Sequence, residues 1–373
     1  MPFKLPEEKV SQIVNIASYV NRHAFLSFFK IIKSIFSKKM PDVNESVDSF
    51  QVRKAYLPFW IYDMGMTANV KMTSENNSDN LEPERELLGI GFDCYWPGTN
   101  WNPMSYLCLS QSLLHNADKL VPFTPDLYSD MDDIEVIPFT VNPIHDLEDR
   151  APQAIEGLQL KSHTHRSATY TLSDAKVRFN AVYPIYWPVY IAQFSDNNNQ
   201  DDPRTIVISA HSEDPPIYQY DPTKPEGVEQ WINNGPWIKL DVAEPAWQMG
   251  FGDNPVIQLV KRFATEAVGQ YQTGEVHWDD ARIQPYPAYQ KQNKDYLQQL
   301  FKVWSQRNML VRLEGMDQDQ RAFGWGANKV KVQKVADIRE GIKDGVAAEL
   351  DKLASLEPLW FKDYKNSSSN KSF

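Results

Sequence analysis

Between Lys9 and Met40 the chain carries no acidic residue, no glycine and no proline. Apolar residues recur through it at helical spacing: Val10, Ile13, Val14, Ala17, Val20, Ala24, Phe28, Ile31 and Ile35. Such a stretch predicts helix, opened by Pro6, Glu7 and Glu8 in a first turn and stopped by Pro41. A pause at residues 21–23 is a place where it can divide. The second half has a wide apolar arc of Phe25, Leu26, Phe28, Phe29, Ile31, Ile32, Ile35 and Phe36, and a narrow polar strip of Ser27, Lys30, Ser34 and Ser37 with Lys33 at its edge.

Charge sharpens this picture. The whole chain of 373 residues has a formal charge of −11, but residues 1–41 hold seven basic and two acidic residues. A head of +5 therefore precedes a body of −16. Three readings of the head stay open. Its apolar face packs on the body while the lysines reach water; or it lies in an anionic membrane surface; or it is a targeting segment, since organelle presequences are basic, amphipathic and poor in acid. For the membrane reading the contact residues are Phe25, Phe28, Phe29, Lys30, Ile32, Lys33, Phe36, Lys38 and Lys39.

After an acidic, polar linker over 42–50, the centre of the chain is β-compatible and punctuated by proline. Tyr56-Leu-Pro58-Phe59-Trp60-Ile61 is echoed 130 residues later by Tyr186-Trp-Pro188-Val189-Tyr190-Ile191. The echo suggests two related β units, 50–180 and 181–285, each opened by a Pro-marked strand. Proline lacks an N–H, so each of these strands is expected at a sheet edge, a strand start or a bulge. Residues 87–95, 120–123, 134–141, 168–172 and 205–210 read as strands, 181–194 as a buried strand, 105–115 as a short helix, and 215–255, with its seven prolines, as irregular before a helix over 256–269. From residue 286 the pattern turns helical. Residues 288–313 and 330–356 predict a helical hairpin around a glycine-bearing loop at 314–328, and the Ser/Asn-rich residues 366–373 a disordered tail. The expected class is α+β, a β-rich body with a basic helix in front and a helical hairpin over 286–365 behind.

Several chemistries are excluded or left thin. The acidic balance argues against nucleic acid as a partner. Cys94 and Cys108 cannot make a disulfide framework or a four-Cys zinc site, and read as free thiols in a reducing compartment. No apolar run reaches the length of a membrane span, and without a secretory leader the sequons at Asn76, Asn366 and Asn370 read as chance matches. The acidic run Asp126, Asp130, Asp132, Asp133, Glu135 lacks calcium-loop spacing. Gly89-Ile-Gly91 and Gly324-Trp-Gly326 lack the lysine of a phosphate loop. His163 and His165, alternate residues on one strand face, are the best metal pair but have no third ligand fixed by spacing. No cofactor is expected. An enzyme reading needs His163, His165, His277 and Asp279 to converge from a distance. A sugar- or peptide-binding reading needs Trp231, Trp237 and Trp247 exposed. The favoured expectation is a non-catalytic adaptor, with its basic helix on an anionic membrane and its acidic body or helical hairpin on a protein partner.

The strings Ala55-Tyr-Leu-Pro-Phe-Trp60, Trp96-Pro-Gly98, Trp101-Asn-Pro103, Val121-Pro-Phe-Thr124, Ile137-Pro-Phe-Thr-Val-Asn-Pro143, Tyr186-Trp-Pro-Val-Tyr190 and Asp279-Asp-Ala-Arg-Ile283 resemble a group of uncharacterised fungal proteins over residues 50–285. The resemblance implies no catalytic residues. It implies a mitochondrial location, with the cytoplasm as the other intracellular expectation.

Overall fold

A computed structural model of the chain describes residues 2–22, 50–74, 85–101, 104–107, 120–122, 133–161, 168–196, 199–212, 215–220, 237–239, 274–326 and 329–369. It is an α+β protein, in agreement with the sequence pattern. The strands are β1 (Phe50–Ser74), β2 (Arg85–Pro97), β3 (Ile134–Val136), β4 (Gln159–Lys161), β5 (Ala168–Asp196), β6 (Asn199–Ser209), β7 (Ile217–Tyr220) and β8 (Trp237–Lys239). They form one sheet of order β2-β1-β5-β6-β7-β8, with β3 parallel on β1 and β4 antiparallel on β5. β1 and β5 run 25 and 29 residues, far beyond the usual five or six.

Long strands let the chain build two compact units that interleave in sequence. One comprises 1–60, 95–143 and 184–276; the other comprises 61–94, 144–183 and 277–373. This partition differs from the division at 180/181 expected from the echo. The echoed tyrosines in fact share a core: the rings of Tyr56 and Tyr186 meet edge to face, with centroids 6.1 Å apart. Of the edge, strand start or bulge expected for Pro58 and Pro188, the sheet order removes the edge, because β1 lies between β2 and β5 and β5 lies between β1 and β6. Their carbonyls still serve the sheet, Pro58 O accepting from Gly98 N–H at 3.1 Å and Pro188 O from Ala210 N–H at 2.8 Å.

In the first unit the helix α1 (Glu7–Arg22) begins where Pro6 and the two glutamates predict it. Leu5, Val10, Ile13 and Val14 are buried against Tyr190, Ala192, Ile206, Ile208 and Ala210 of the sheet. Phe3 packs edge-on against Tyr56 and Tyr190. Lys4 N–H donates to Ala210 O at 2.7 Å, Tyr190 OH donates to Leu5 O at 2.8 Å, and Glu7 pairs with Lys54 of β1. The start of the head is thus part of the body's core. The nine residues of the membrane reading, 25–39, lie outside the described residues. Trp60, Trp96, Trp187 and Trp237 are all buried in this unit. Trp60 Nε1 donates to Val141 O at 3.0 Å and Trp187 Nε1 to Ser209 Oγ at 2.8 Å, so the indoles fill a β core and keep their polar handles satisfied.

The second unit holds the ends of β1, β2 and β5 together with the C-terminal helices α5 (Gln290–Glu314), α6 (Val335–Leu356) and α7 (Leu359–Ser369). Earlier short helices are α2 (Met104–Leu107) in the first unit and, here, α3 (Pro143–His145, its proline being the last residue of the first unit) running through a π-helical turn Asp146–Arg150 into α4 (Ala151–Ile155). Tyr296 of α5 and Trp360 and Phe361 of α7 pack on Phe179 of β5 with ring centroids 4.9–5.5 Å away. α5 and α6 pack as the expected hairpin, and Gln299 donates to Glu349 O and Oε2 at 2.9 and 2.7 Å. Three details differ from the sequence reading. The expected loop 314–328 contains β9 (Arg321–Gly326), which pairs antiparallel with β10 (Lys329–Lys334). The second helix therefore starts at Val335, five residues late, because Lys329-Val-Lys-Val-Gln-Lys334 alternates with period two. The tail expected to be disordered from Asn366 is helical to Ser369, since α7 is anchored by Phe361 and by Tyr364 beneath Arg282.

Candidate functional site

The second unit contains a cleft of about 400 Å³ whose lining includes Glu148, Asp149, residues 175–180 of β5, Arg282 and Tyr364. Glu148 and Asp149 come from the π-helical turn, a wide turn that re-aims side chains and recurs at functional sites. Arg282 is fixed from three sides. Its Nε and one terminal nitrogen hold both oxygens of Asp280, at 2.9 and 2.6 Å, its other terminal nitrogen pairs with Glu148, and its plane lies 4.8 Å over the Tyr364 ring. Guanidinium has five N–H groups, so two remain for a ligand.

These contacts separate the two carboxylates. Burial raises the Glu148 pKa above the ordinary range, with Arg282 opposing it. Asp280 is also pushed up by burial, but its hydrogen bonds from Arg282 prevail and hold it low. Asn180 forms part of the lining and is only 3% exposed. It lies beside Glu148 and helps to hold that charge, yet neither Oδ1 nor Nδ2 meets a partner at full hydrogen-bond geometry.

The second unit also holds a polar network around Asp63. Asp63 is fully buried; Asp93 N–H donates to its Oδ1 at 3.0 Å and Tyr183 OH to its Oδ2 at 2.9 Å. Asn293 Nδ2 donates to Tyr183 OH at 2.8 Å, and Trp360 Nε1 donates to Asn293 Oδ1 at 3.0 Å. Lys294 pairs with Asp93 at 2.5 Å, and Gln290 also donates to Asp93. Burial raises the Asp63 carboxyl to about 6 against the pull of these donors. Burial likewise pushes the Cys94 thiol up to about 12, so it is held as a thiol. The network ties β1, β2, β5, α5 and α7 together and reads as structural.

The sequence candidates do not converge here. His163 and His165 lie outside the described residues, as do Trp231 and Trp247. Trp237 is buried, not offered to a sugar. His277 and Asp279 are exposed residues of a turn, and the carboxylate engaged there is Asp280, on Arg282. His145 pairs with Asp149 at 2.6 Å, and His211 Nδ1 lies 2.5 Å from Ser209 Oγ. Among the described residues no group of three or more His, Cys, Asp or Glu is placed to hold a metal ion. No described helix is long and apolar enough to cross a membrane. Glu148, Asn180 and Arg282 were not foreseen. Only Asp280-x-Arg282, a local charge pair, left a trace in sequence.

No family model, curated protein or solved structure matches the chain. The chemistry of the cleft is read from its own residues: hydrogen-bonding groups, two buffered charges and an aromatic floor, a set suited to holding a ligand.

Proposed function

We propose that this protein is a non-catalytic adaptor that binds an anionic membrane surface through residues 25–39 and a protein partner through its folded body. The docking of the head's first residues carries the reading. Both acids of the head, Glu7 and Glu8, belong to the part joined to the sheet, and Glu7 is neutralised there by Lys54. Residues 23–39, directly after α1, hold four lysines, eight large apolar residues and no acid. A body-anchored segment of that composition matches an interfacial helix, with each lysine near an anionic surface adding about 1 kcal/mol. The fungal, mitochondrial association implied by the sequence motifs belongs to the same proposal, as an anionic organelle membrane is a fitting surface.

Co-sedimentation with phosphatidylserine-containing vesicles tests it. The wild-type chain is expected to pellet with them and to stay in solution with pure phosphatidylcholine. The double substitution Phe28→Asp and Phe29→Asp is expected to weaken binding by at least about tenfold, or 1.4 kcal/mol. Equal pelleting of both proteins would contradict the proposal. Truncation is a poorer test, because removing residues 1–41 also removes Leu5, Val10, Ile13 and Val14 from the core.

A further inference from the structure

The cleft contains a stretch of open sheet edge. On the side of β5 away from β1, β4 pairs only with Thr169, Tyr170 and Thr171, and the β6 side is engaged only from Pro188 onward. Two short contacts narrow the gap. Leu172 N–H donates to Leu158 O at 2.9 Å and Leu172 O accepts from Gly157 N–H at 2.9 Å. Ten residues on, Val182 N–H donates to Arg282 O at 2.9 Å and Val182 O accepts from Gln284 N–H at 2.8 Å, a parallel bridge to Ile283. Asp174 N–H is also taken on this side, by Glu156 Oε2 at 2.9 Å.

All of these outward-facing groups belong to even-numbered residues, as the two-residue period of a strand requires. The same period turns the N–H and C=O of Lys176, Arg178 and Asn180 outward into the cleft. Among the described residues nothing pairs with them. Hydrogen-bond groups left in a row at about 7 Å intervals are a template for another strand. The Asn180 carboxamide, beside Glu148 but short of full hydrogen-bond geometry, adds a donor and an acceptor side by side, the same pair that a peptide group presents.

We infer that this cleft receives an extended peptide segment of a partner protein, which adds to β5 as a strand opposite Lys176, Arg178 and Asn180. Main-chain hydrogen bonds supply the affinity in this mode, and pockets for alternate side chains supply the selectivity. The Asn180 carboxamide pairs with one peptide group of the added strand, and the two spare N–H groups of Arg282 are available to a carbonyl or carboxylate of it. The walls decide between occupants. Glu148, Pro152, Phe361 and Tyr364 line the cleft together with β5, so the edge is recessed. Two recessed edges cannot meet, which disfavours a second copy of this chain. A single extended segment can enter. The inference rests on the adaptor reading only for the existence of a protein partner, and it is independent of membrane binding.

Selection of a displayed random heptapeptide library against the full chain, followed by amide exchange measured residue by residue, tests it. In the free protein the amides of Lys176, Arg178 and Asn180 are expected to exchange at least about a hundredfold faster than those of Val177 and Phe179, which face β1. Selected peptides are expected to slow those three amides and to lose at least about tenfold in affinity for Lys176→Pro, which removes one outward N–H and spares the inward ones. Should that variant fail to fold, exchange in the wild-type chain with bound peptide decides alone. Three results would each overturn the inference: slow exchange at all three amides in the free monomer, protection that grows with protein concentration and so reports a second copy, or failure of the library to yield any peptide that protects them. Vesicle binding is unaffected by any of these, so the two proposals fail separately.

Discussion

Alanine in place of Gly98 is expected to lower the unfolding free energy by about 3 kcal/mol or more, read as a fall in the urea midpoint at unchanged slope. Gly98 follows the end of β2 and lies against Pro58. A Cβ at this position would stand 2.6 Å from the Pro58 carbonyl carbon, 2.7 Å from its oxygen and 2.8 Å from its Cβ. None of these atoms is the free end of a side chain. The proline ring fixes its own backbone torsion, so relief requires moving β1 in its first-unit half. Gly98 also donates to Pro58 O and accepts from Thr140 and Val141 N–H, so displacement strains three backbone hydrogen bonds. Gly274 is the control: nothing lies within 4 Å of a Cβ there, and Gly274→Ala is expected to change stability by less than about 0.5 kcal/mol. Equal effects at the two glycines would show that the approach of Gly98 to Pro58 is not as close as described.

The second large effect depends on pH. Asp63 has a folded-state pKa of about 6 against an ordinary value of 3.8, with burial as the main cause. Between these values the folded protein holds a proton that the unfolded chain has released. Stability contributed by this group therefore falls as pH rises from about 4 to about 6, and stays at its low level above that. A shift of this size corresponds to roughly 3 kcal/mol. Asp63→Asn removes the titration while keeping the shape. The difference in stability between Asp63→Asn and wild type is expected to move in favour of the variant by about 2.4 kcal/mol from pH 4 to pH 7. Urea unfolding of both proteins across that range measures it. The absolute value of the variant is a separate matter, since an amide cannot accept from both Asp93 N–H and Tyr183 OH and one donor loses its partner. A pH-independent difference would mean that Asp63 is solvated or paired otherwise.

How legible the molecule was in sequence depends on how local each signal is. The start of α1 was legible because proline, two glutamates and a 3.6-residue apolar period lie within about ten residues. The buried strand over 181–194 was legible because its apolar run is nearly unbroken, and its residues from Ala181 to Ala192 are mostly buried. The paired motifs at Pro58 and Pro188 were visible, but their meaning was not: similarity suggested two successive units, whereas the tyrosines of both copies pack together in one. Sheet partners are non-local, and no spacing rule reports them. β9 and β10 were hidden by glycines at 315, 324 and 326, which outweighed the alternation of Val330 and Val332. The cleft was least legible of all. Glu148, Asn180 and Arg282 are 32 and 102 residues apart, and each looks ordinary in its own neighbourhood. What distinguishes them is a tertiary fact, that Asn180 is buried beside Glu148 with its carboxamide short of full hydrogen-bond geometry and that β5 lacks a neighbour for a few residues. The polar network of Asp63, Tyr183 and Asn293 was invisible for the same reason.

The central functional claim is that the head divides in two, a part that belongs to the folded body and a part that serves a membrane. Hydrogen exchange of the full chain, followed by mass spectrometry with and without phosphatidylserine-containing vesicles, tests this most directly. Residues 5–14 are expected to be protected in both samples, because they lie in the core against Tyr190, Ile206 and Ile208. Residues 25–39 are expected to gain protection only when vesicles are present. Unchanged exchange of residues 25–39 on adding vesicles, or loss of protection over residues 5–14, would contradict the division.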